Sequence, residues 1–168
     1  VHAGFDAAEG SIKAKFNVQG NVMMEEYARE LGVKFIRNGS LVLAYSLDQL
    51  KTLKELKLRG EKNGVSGLKI IDGKELLQLE PNISRSAIGA LVAPTGGIIC
   101  PYGLTIAAIG NAMDNGAKLY TNFEVVKAVM GKEHINLYDN LGKAVSAKMV
   151  IICAGLFGGK VAALFGED

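Results

Sequence analysis

The chain has no tryptophan, and only three prolines, two cysteines and two histidines among its 168 residues. Cys100 and Cys153 lie far apart, each in an apolar run. A disulfide framework or a structural zinc site needs more ligands at tighter spacing. The two are expected to be buried, reduced thiols, which fits a cytoplasmic location. No apolar run approaches the roughly 20 residues of a membrane-spanning helix. A charged stretch followed by an apolar core, as in a secretory signal, is also missing. Neither sign of charge dominates, with 19 basic and 17 acidic residues and a net charge of +2. The basic residues alternate with acids, as in Lys54, Glu55, Lys57, Glu61 and Lys62. That is the pattern of a solvated helix face, so nucleic acid is not an expected partner. HExxH, GxSxG and clustered carboxylate pairs are absent, which leaves metal and hydrolase chemistry without a foothold.

What is present is an ordinary globular composition: 49% hydrophobic, 21% charged, and 21 glycines. That suffices for one sizeable core. Residues 9–31 read as a long amphipathic helix, with Ile12, Phe16, Met23, Tyr27 and Leu31 recurring at helical spacings and Gly32 closing it. Residues 34–45 read as a strand interrupted at Gly39. Residues 48–62 form a second helix with Leu50, Leu53 and Leu56 on one side, ended by Asn63 and Gly64. A short strand over 68–71 leads into a helix opened by Asp72 and Glu75, an Asp variant of the capping box, and stopped by Pro81. The apolar runs 87–93 and 97–100 flank a Pro-Thr-Gly-Gly turn and predict a hairpin. Pro101 suits the first position of a helix reaching to about Asn115.

The remainder is strand-rich, with strands expected over 118–121, 124–130, 134–139 and 148–153, and a final helix over 158–165. The run KMVIIC at 148–153 is apolar enough for a strand buried on both faces of a parallel sheet. It ends in Ala154-Gly155, and the carboxyl ends of such strands are where open α/β sheets bind ligands.

Five phrases in order carry a resemblance: VHAGFD at the start, NGSLVLA at 38–44, ELLQLEPNI at 75–83, GALVAPTGGIICPYGLT at 89–105 and VIICAGLFGG at 150–159. Together they resemble the D-amino-acid-oxidase-like flavoprotein superfamily. Within it the chain is most similar to the bacterial FAD-dependent glycerol-3-phosphate dehydrogenase branch, near L-2-hydroxyglutarate oxidase. Members open with a strand–GxGxxG–helix unit that receives the FAD pyrophosphate at a helix N-terminus. No GxGxxG occurs here, and Gly155, Gly158 and Gly159 have the wrong spacing. Val1 stands where Met would start a chain, in the middle of an apolar phrase, and this reads as an internal fragment lacking N- and C-terminal parts.

The resemblance implies an α/β (α+β) fold: a mixed-sheet substrate domain with flanking helices, plus the meander and terminal strand of an incomplete FAD-binding domain. Residues 1–11 would be a flavin-proximal segment, 12–116 mainly substrate domain, and 117–168 partial FAD-binding domain. His2, Ala3 and Gly4 would run along the flavin, with His2 aiding removal of a hydroxyl proton, unless it merely marks a cut end. Gly4 would permit close backbone approach to the ring. Val125 would pair by its main chain with the adenine edge, and Ala154, Gly155 and Leu156 would lie beside the dinucleotide. Thr95 and Gly97 would approach the substrate, or form a plain turn. Arg37, the one basic residue in an apolar strand, either pairs with a substrate phosphate or carboxylate or points to solvent.

The implied activity is oxidation of a secondary alcohol by hydride transfer to FAD. Glycerol 3-phosphate, giving dihydroxyacetone phosphate, is the first candidate substrate and L-2-hydroxyglutarate the second. The competing reading is a non-catalytic binding module that keeps the substrate-domain fold without meeting FAD.

Overall fold

A computed structural model describes residues 1–166, which fall into two compact units, Val1–Ala117 and a second beginning at Lys118. No helix among the described residues is long and apolar enough to cross a membrane.

In the first unit, α1 spans Ile12–Glu30. Ser11 caps it by accepting from the Ala14 N–H at 3.1 Å, satisfying one of the orphan donors of a helix start. At the other end Gly32 turns left-handed at φ +67° while the Val33 N–H reaches back to the Ala28 carbonyl at 2.8 Å. The buried seam of α1 is Ala14, Asn21 and Ala28, spaced by sevens. The larger apolar residues do not form the buried face: Ile12, Phe16, Met23 and Tyr27 are exposed. Small side chains face inward because the segment of residues 2–5 lies directly against the helix. A Cβ on Gly4 would stand 3.0 Å from Val18 Cγ2, and Gly4 itself sits at φ +99°.

β1 (Phe35–Ile36) and β2 (Ser40–Ala44) are two parts of the expected interrupted strand. α2 (Leu47–Lys62) and β3 (Lys69–Asp72) follow, then α3 (Gly73–Leu79), β4 (Gly89–Ala93), β5 (Ile98–Ile99) and α4 (Pro101–Asp114). Asp72 caps α3 through the Glu75 N–H at 2.8 Å, while the Glu75 carboxylate pairs with Lys69 instead of closing the box.

The expected hairpin between 87–93 and 97–100 does not form. β4 is the central strand of an antiparallel sheet, β2-β4-β3, and β5 pairs with β1 in a separate two-stranded ladder. The stretch between them crosses from one ladder to the other instead of reversing.

As the central strand, β4 buries both its faces. On one side Leu91 and Ala93 join Ala3, Ala44, Leu53, Val65 and Leu68, under α2. On the other, Ala90 packs with Ile71, Leu76 and Ala87, under α3. Leu53 is fully buried, with Leu50 and Leu56 beside it as their spacing predicts. Burying such a leucine contributes about 1.5–3 kcal/mol. α4 buries none of its residues, and Cys100, expected to be buried, is exposed as its N-cap, with Sγ accepting from the Gly103 N–H.

The second unit is an antiparallel meander of β6 (Val125–Met130), β7 (Ile135–Asp139) and β8 (Ala144–Ala147), followed by a 3-10 turn, the short helix α5 (Gly158–Ala162) and a closing 3-10 turn. Asp139 sets the β7–β8 turn by accepting from the Leu141 and Lys143 N–H groups. Residues 118–121 are not a strand, and neither is 148–153. KMVIIC has strand composition, but no strand among the described residues pairs with it. Met149 and Ile151 are exposed, as is Cys153, contrary to the expected burial.

Two helical glycines should respond to alanine with opposite signs. At Gly20 a Cβ meets nothing within 4 Å, so Gly20→Ala should stabilise by about 1 kcal/mol through helix propensity. At Gly60 of α2 it would lie 2.7 Å from Phe5 Cβ and 3.1 Å from Phe5 Cα, so Gly60→Ala should destabilise by about 1–2 kcal/mol net of that gain. Urea melts of both variants check the sign at each position.

Candidate active site

The β1–β5 and β2–β4 ladders share two continuous stretches of chain. Phe35 faces Ile99 and Ile36 faces Ile98, then Ser40 faces Ala93. Between them residues 37–39 and 94–97 leave the ladder and form a notch. One main-chain hydrogen bond crosses it, from the Gly39 N–H to the Gly96 carbonyl at 3.0 Å. Neither strand could bend this way with a larger residue. A Cβ on Gly97 would fall 2.6 Å from Phe35 Cζ and 2.9 Å from the Ile36 carbonyl oxygen. One on Gly96 would fall 3.0 Å from Ser40 Oγ. These glycines are required by backbone approach.

The N-terminal segment enters this notch. Val1 and Gly97 exchange main-chain bonds, and Asn21 on α1 is 5% exposed and joins the two pieces. Its Nδ2 donates to the His2 carbonyl at 2.9 Å and to the Thr95 carbonyl at 2.8 Å. Its Oδ1 accepts from Arg37 Nη1 at 3.1 Å, and the same Nη1 donates to the Thr95 carbonyl at 2.6 Å. The amide orientation is fixed by its surroundings, since the reverse would set an oxygen against two carbonyls and an NH2 against a guanidinium. Arg37 also donates from Nη2 to the Asn21 carbonyl and from Nε to Glu25. These contacts engage four of the five guanidinium N–H groups, and the side chain lies 5.1 Å over the Phe35 ring.

The notch thus gathers His2, Arg37, Thr95 and Gly97. The His2 side chain is exposed, while Ala3 is buried in the core beneath it. The close approach that Gly4 permits is to α1, through Val18 and Asn17. Thr95 Oγ1 is buried without a hydrogen-bond partner. A second asparagine holds the next carbonyls: Asn63, the C-cap of α2, donates to Gly4 O at 3.1 Å and Ala7 O at 2.9 Å. Asn63 was read from the sequence as the end of a helix, but neither asparagine's hold on the N-terminal carbonyls was, though Asn21 left a trace. It is a weak helix former next to Gly20 in the middle of a long helix, in register with Ala14 and Ala28.

The residues predicted near the dinucleotide lie in the second unit. Val125 opens β6, an edge strand whose register shifts between Val125 and Lys127. Val125 and Ala154 both line a cavity of about 630 Å³ whose other walls include Phe123, Val150, Phe157 and Leu164. Gly155, at φ +54°, and Leu156, 96% exposed, start the 3-10 turn and do not line it. The volume falls in the range of ligand pockets, and the lining suits an aromatic ring system rather than a pyrophosphate. Lys160 is its one basic wall.

The first unit carries a glycine-lined notch beside an exposed histidine, and the second, taken by itself, carries an apolar cavity of ring-accepting size. The sequence matches the family described as FAD dependent oxidoreductase over residues 1–168. The chain belongs to that family. It is 44% identical over 164 residues to a glycerol 3-phosphate dehydrogenase of Caloramator mitchellensis, covering 96% of this chain and 33% of that protein. It is 28% identical to the mitochondrial L-2-hydroxyglutarate dehydrogenase of Pongo abelii, covering 99% of this chain and 42% of the other. The chain spans less than half the length of these curated relatives. The dithionite-reduced, FAD-bound L-alpha-glycerophosphate oxidase of Mycoplasma pneumoniae superposes with a TM-score of 0.87 at 23% identity, over 97% of this chain and 44% of that one. At that identity the likeness shows the fold.

Asn63→Ala would strip the donors from the Gly4 and Ala7 carbonyls. The expected loss is about 1–2 kcal/mol, read as a lower urea midpoint with an unchanged slope.

Proposed function

We propose that residues 1–168 supply the substrate-facing part and the trailing part of the flavin fold in an enzyme that oxidises a secondary alcohol at FAD. The observation that carries this is the 44% identity to a glycerol 3-phosphate dehydrogenase across nearly the whole chain. Glycerol 3-phosphate, oxidised to dihydroxyacetone phosphate, is therefore the proposed substrate. L-2-hydroxyglutarate is the second reading, supported by the 28% identity to its dehydrogenase. We assign residues 1–11 to a flavin-proximal segment, 12–116 mainly to a substrate domain and 117–168 to a partial flavin domain; the division after Ala117 supports only the last of these boundaries, to within a residue. Two free thiols distant in sequence support a cytoplasmic location.

The residues present fit part of FAD. Val125 and Ala154, with Gly155 and Leu156 at the adjoining turn, would hold its adenosine side, and His2, Ala3 and Gly4 would run beside its reactive ring. Bound FAD supplies the hydride acceptor as the carbinol carbon becomes a ketone. His2 takes the hydroxyl proton in the same oxidation. Its side chain is exposed and its main-chain carbonyl is held by Asn21. Gly97 and Thr95 set the floor on which the substrate carbon rests. Arg37 has most of its donors committed to the notch, so its part is to hold the turn rather than to bind the substrate anion.

Anaerobic mixing of the holoenzyme with glycerol 3-phosphate and with L-2-hydroxyglutarate should bleach the flavin with the first in preference to the second. The opposite order would transfer the assignment. His2→Ala should slow single-turnover reduction by roughly 10²–10⁴-fold with FAD still bound. Residues 1–168 purified alone should be colourless, because the chain has no GxGxxG loop to hold the pyrophosphate. A flavin absorbance band at near-stoichiometric occupancy would overturn that expectation.

A further inference from the structure

The geometry points to Asn21 as a positioning residue, with Arg37 as its partner, that sets the distance between the His2 segment and the Thr95 turn during the reaction. The inference rests on the proposed placement of His2 at the reacting centre.

Three observations carry it. First, among the described residues the direct hydrogen bonds between the two pieces of chain that would flank a substrate are the Val1–Gly97 main-chain pair, and Asn21 spans them as well, through a single NH2 group. A shift of either carbonyl breaks a bond to the same nitrogen, so His2 and Thr95 are held to one another and not merely to α1. Second, Arg37 doubles the hold on one side by donating to both Asn21 Oδ1 and the Thr95 carbonyl. A charged donor on Oδ1 also polarises the amide and strengthens what its NH2 donates. Third, Asn21 is buried on a seam whose other members are alanines. Asn21 is the one polar residue of that seam, and its amide meets main-chain and guanidinium partners there. A buried polar group is costly unless its bonds are made, and here both N–H donors and the oxygen are engaged.

Asn21→Asp tests this in the holoenzyme. The carboxylate keeps the size and the Arg37 pairing, but it cannot donate and faces two carbonyl oxygens. Hydrogen exchange in peptides covering residues 1–6 and 94–99 should quicken by about tenfold or more as the hold is lost. The visible circular dichroism of the bound flavin should change. Its reduction by saturating glycerol 3-phosphate should slow by at least about tenfold, with apparent substrate affinity changed less than about threefold, as for a displaced reacting group. Arg37→Gln should move the same readouts in the same direction by less, and it carries the test if Asn21→Asp does not fold. Unchanged exchange, or unchanged dichroism and reduction where His2→Ala does slow reduction, overturns the positioning role. If exchange quickens but neither Asn21→Asp nor His2→Ala affects the flavin, the placement of His2 at the reacting centre is what fails, and the inference fails with it.

Discussion

The first unit depends on side-chain amides that satisfy an irregular N-terminal segment. Residues 1–9 have no helix or strand to satisfy their backbone, yet Ala3, Gly4 and Ala7 are buried. Buried carbonyls must find donors. Asparagine side chains provide them, Asn21 for His2 and Asn63 for Gly4 and Ala7. Each donor is presented by a helix, so the segment takes its path from the packing of α1 and α2. Ala3 then closes the core over Leu53, Leu91 and Val65, and Gly60 and Gly4 are small because this segment presses on both helices. Exchange either glycine for a larger residue and the segment must lift, taking the carbonyls away from their donors.

Much of this architecture was legible before any coordinates, and the reasons are local. Leu50, Leu53 and Leu56 give α2 its buried stripe, Asp72 and Pro81 bound α3, and Gly39 marks the break in the long strand. These are statements about neighbours in sequence. The hairpin at Pro94–Gly97 failed because its turn chemistry is compatible with either a reversal or a crossing, and the choice rests with Phe35 and Ser40, more than fifty residues away along the chain. KMVIIC failed for a related reason, since composition marks a strand but only a partner makes one. The exposed Cys100 shows a thiol serving as a helix cap where hydrophobicity suggested core.

The site was half legible. His2, Arg37, Thr95 and Gly97 were each singled out, and all four meet in the notch. What joins them, the Asn21 amide, carries no motif, and its function appears only once three segments converge. The second unit behaves differently. Its cavity is built from a bulged edge strand and an unpaired apolar run, so Val125 and Ala154 share a wall that no spacing rule would place together.

The two units also differ in how their pairings are reached. The meander joins β6 to β7 and β7 to β8 through short turns, with Asp139 fixing one of them. Its loops close at small entropic cost, and such hairpins form in microseconds. The first unit must bring Ser40 to Ala93 before its central strand has a neighbour on that side, and Phe35 to Ile99 before the second ladder exists. Pairings that distant in sequence slow folding, because the chain entropy is lost before the contacts repay it. On a ribosome, β1, β2 and α2 therefore emerge with their apolar edges uncovered until β4 follows. The notch is among the last parts to assemble, since it exists only where the two ladders have already met.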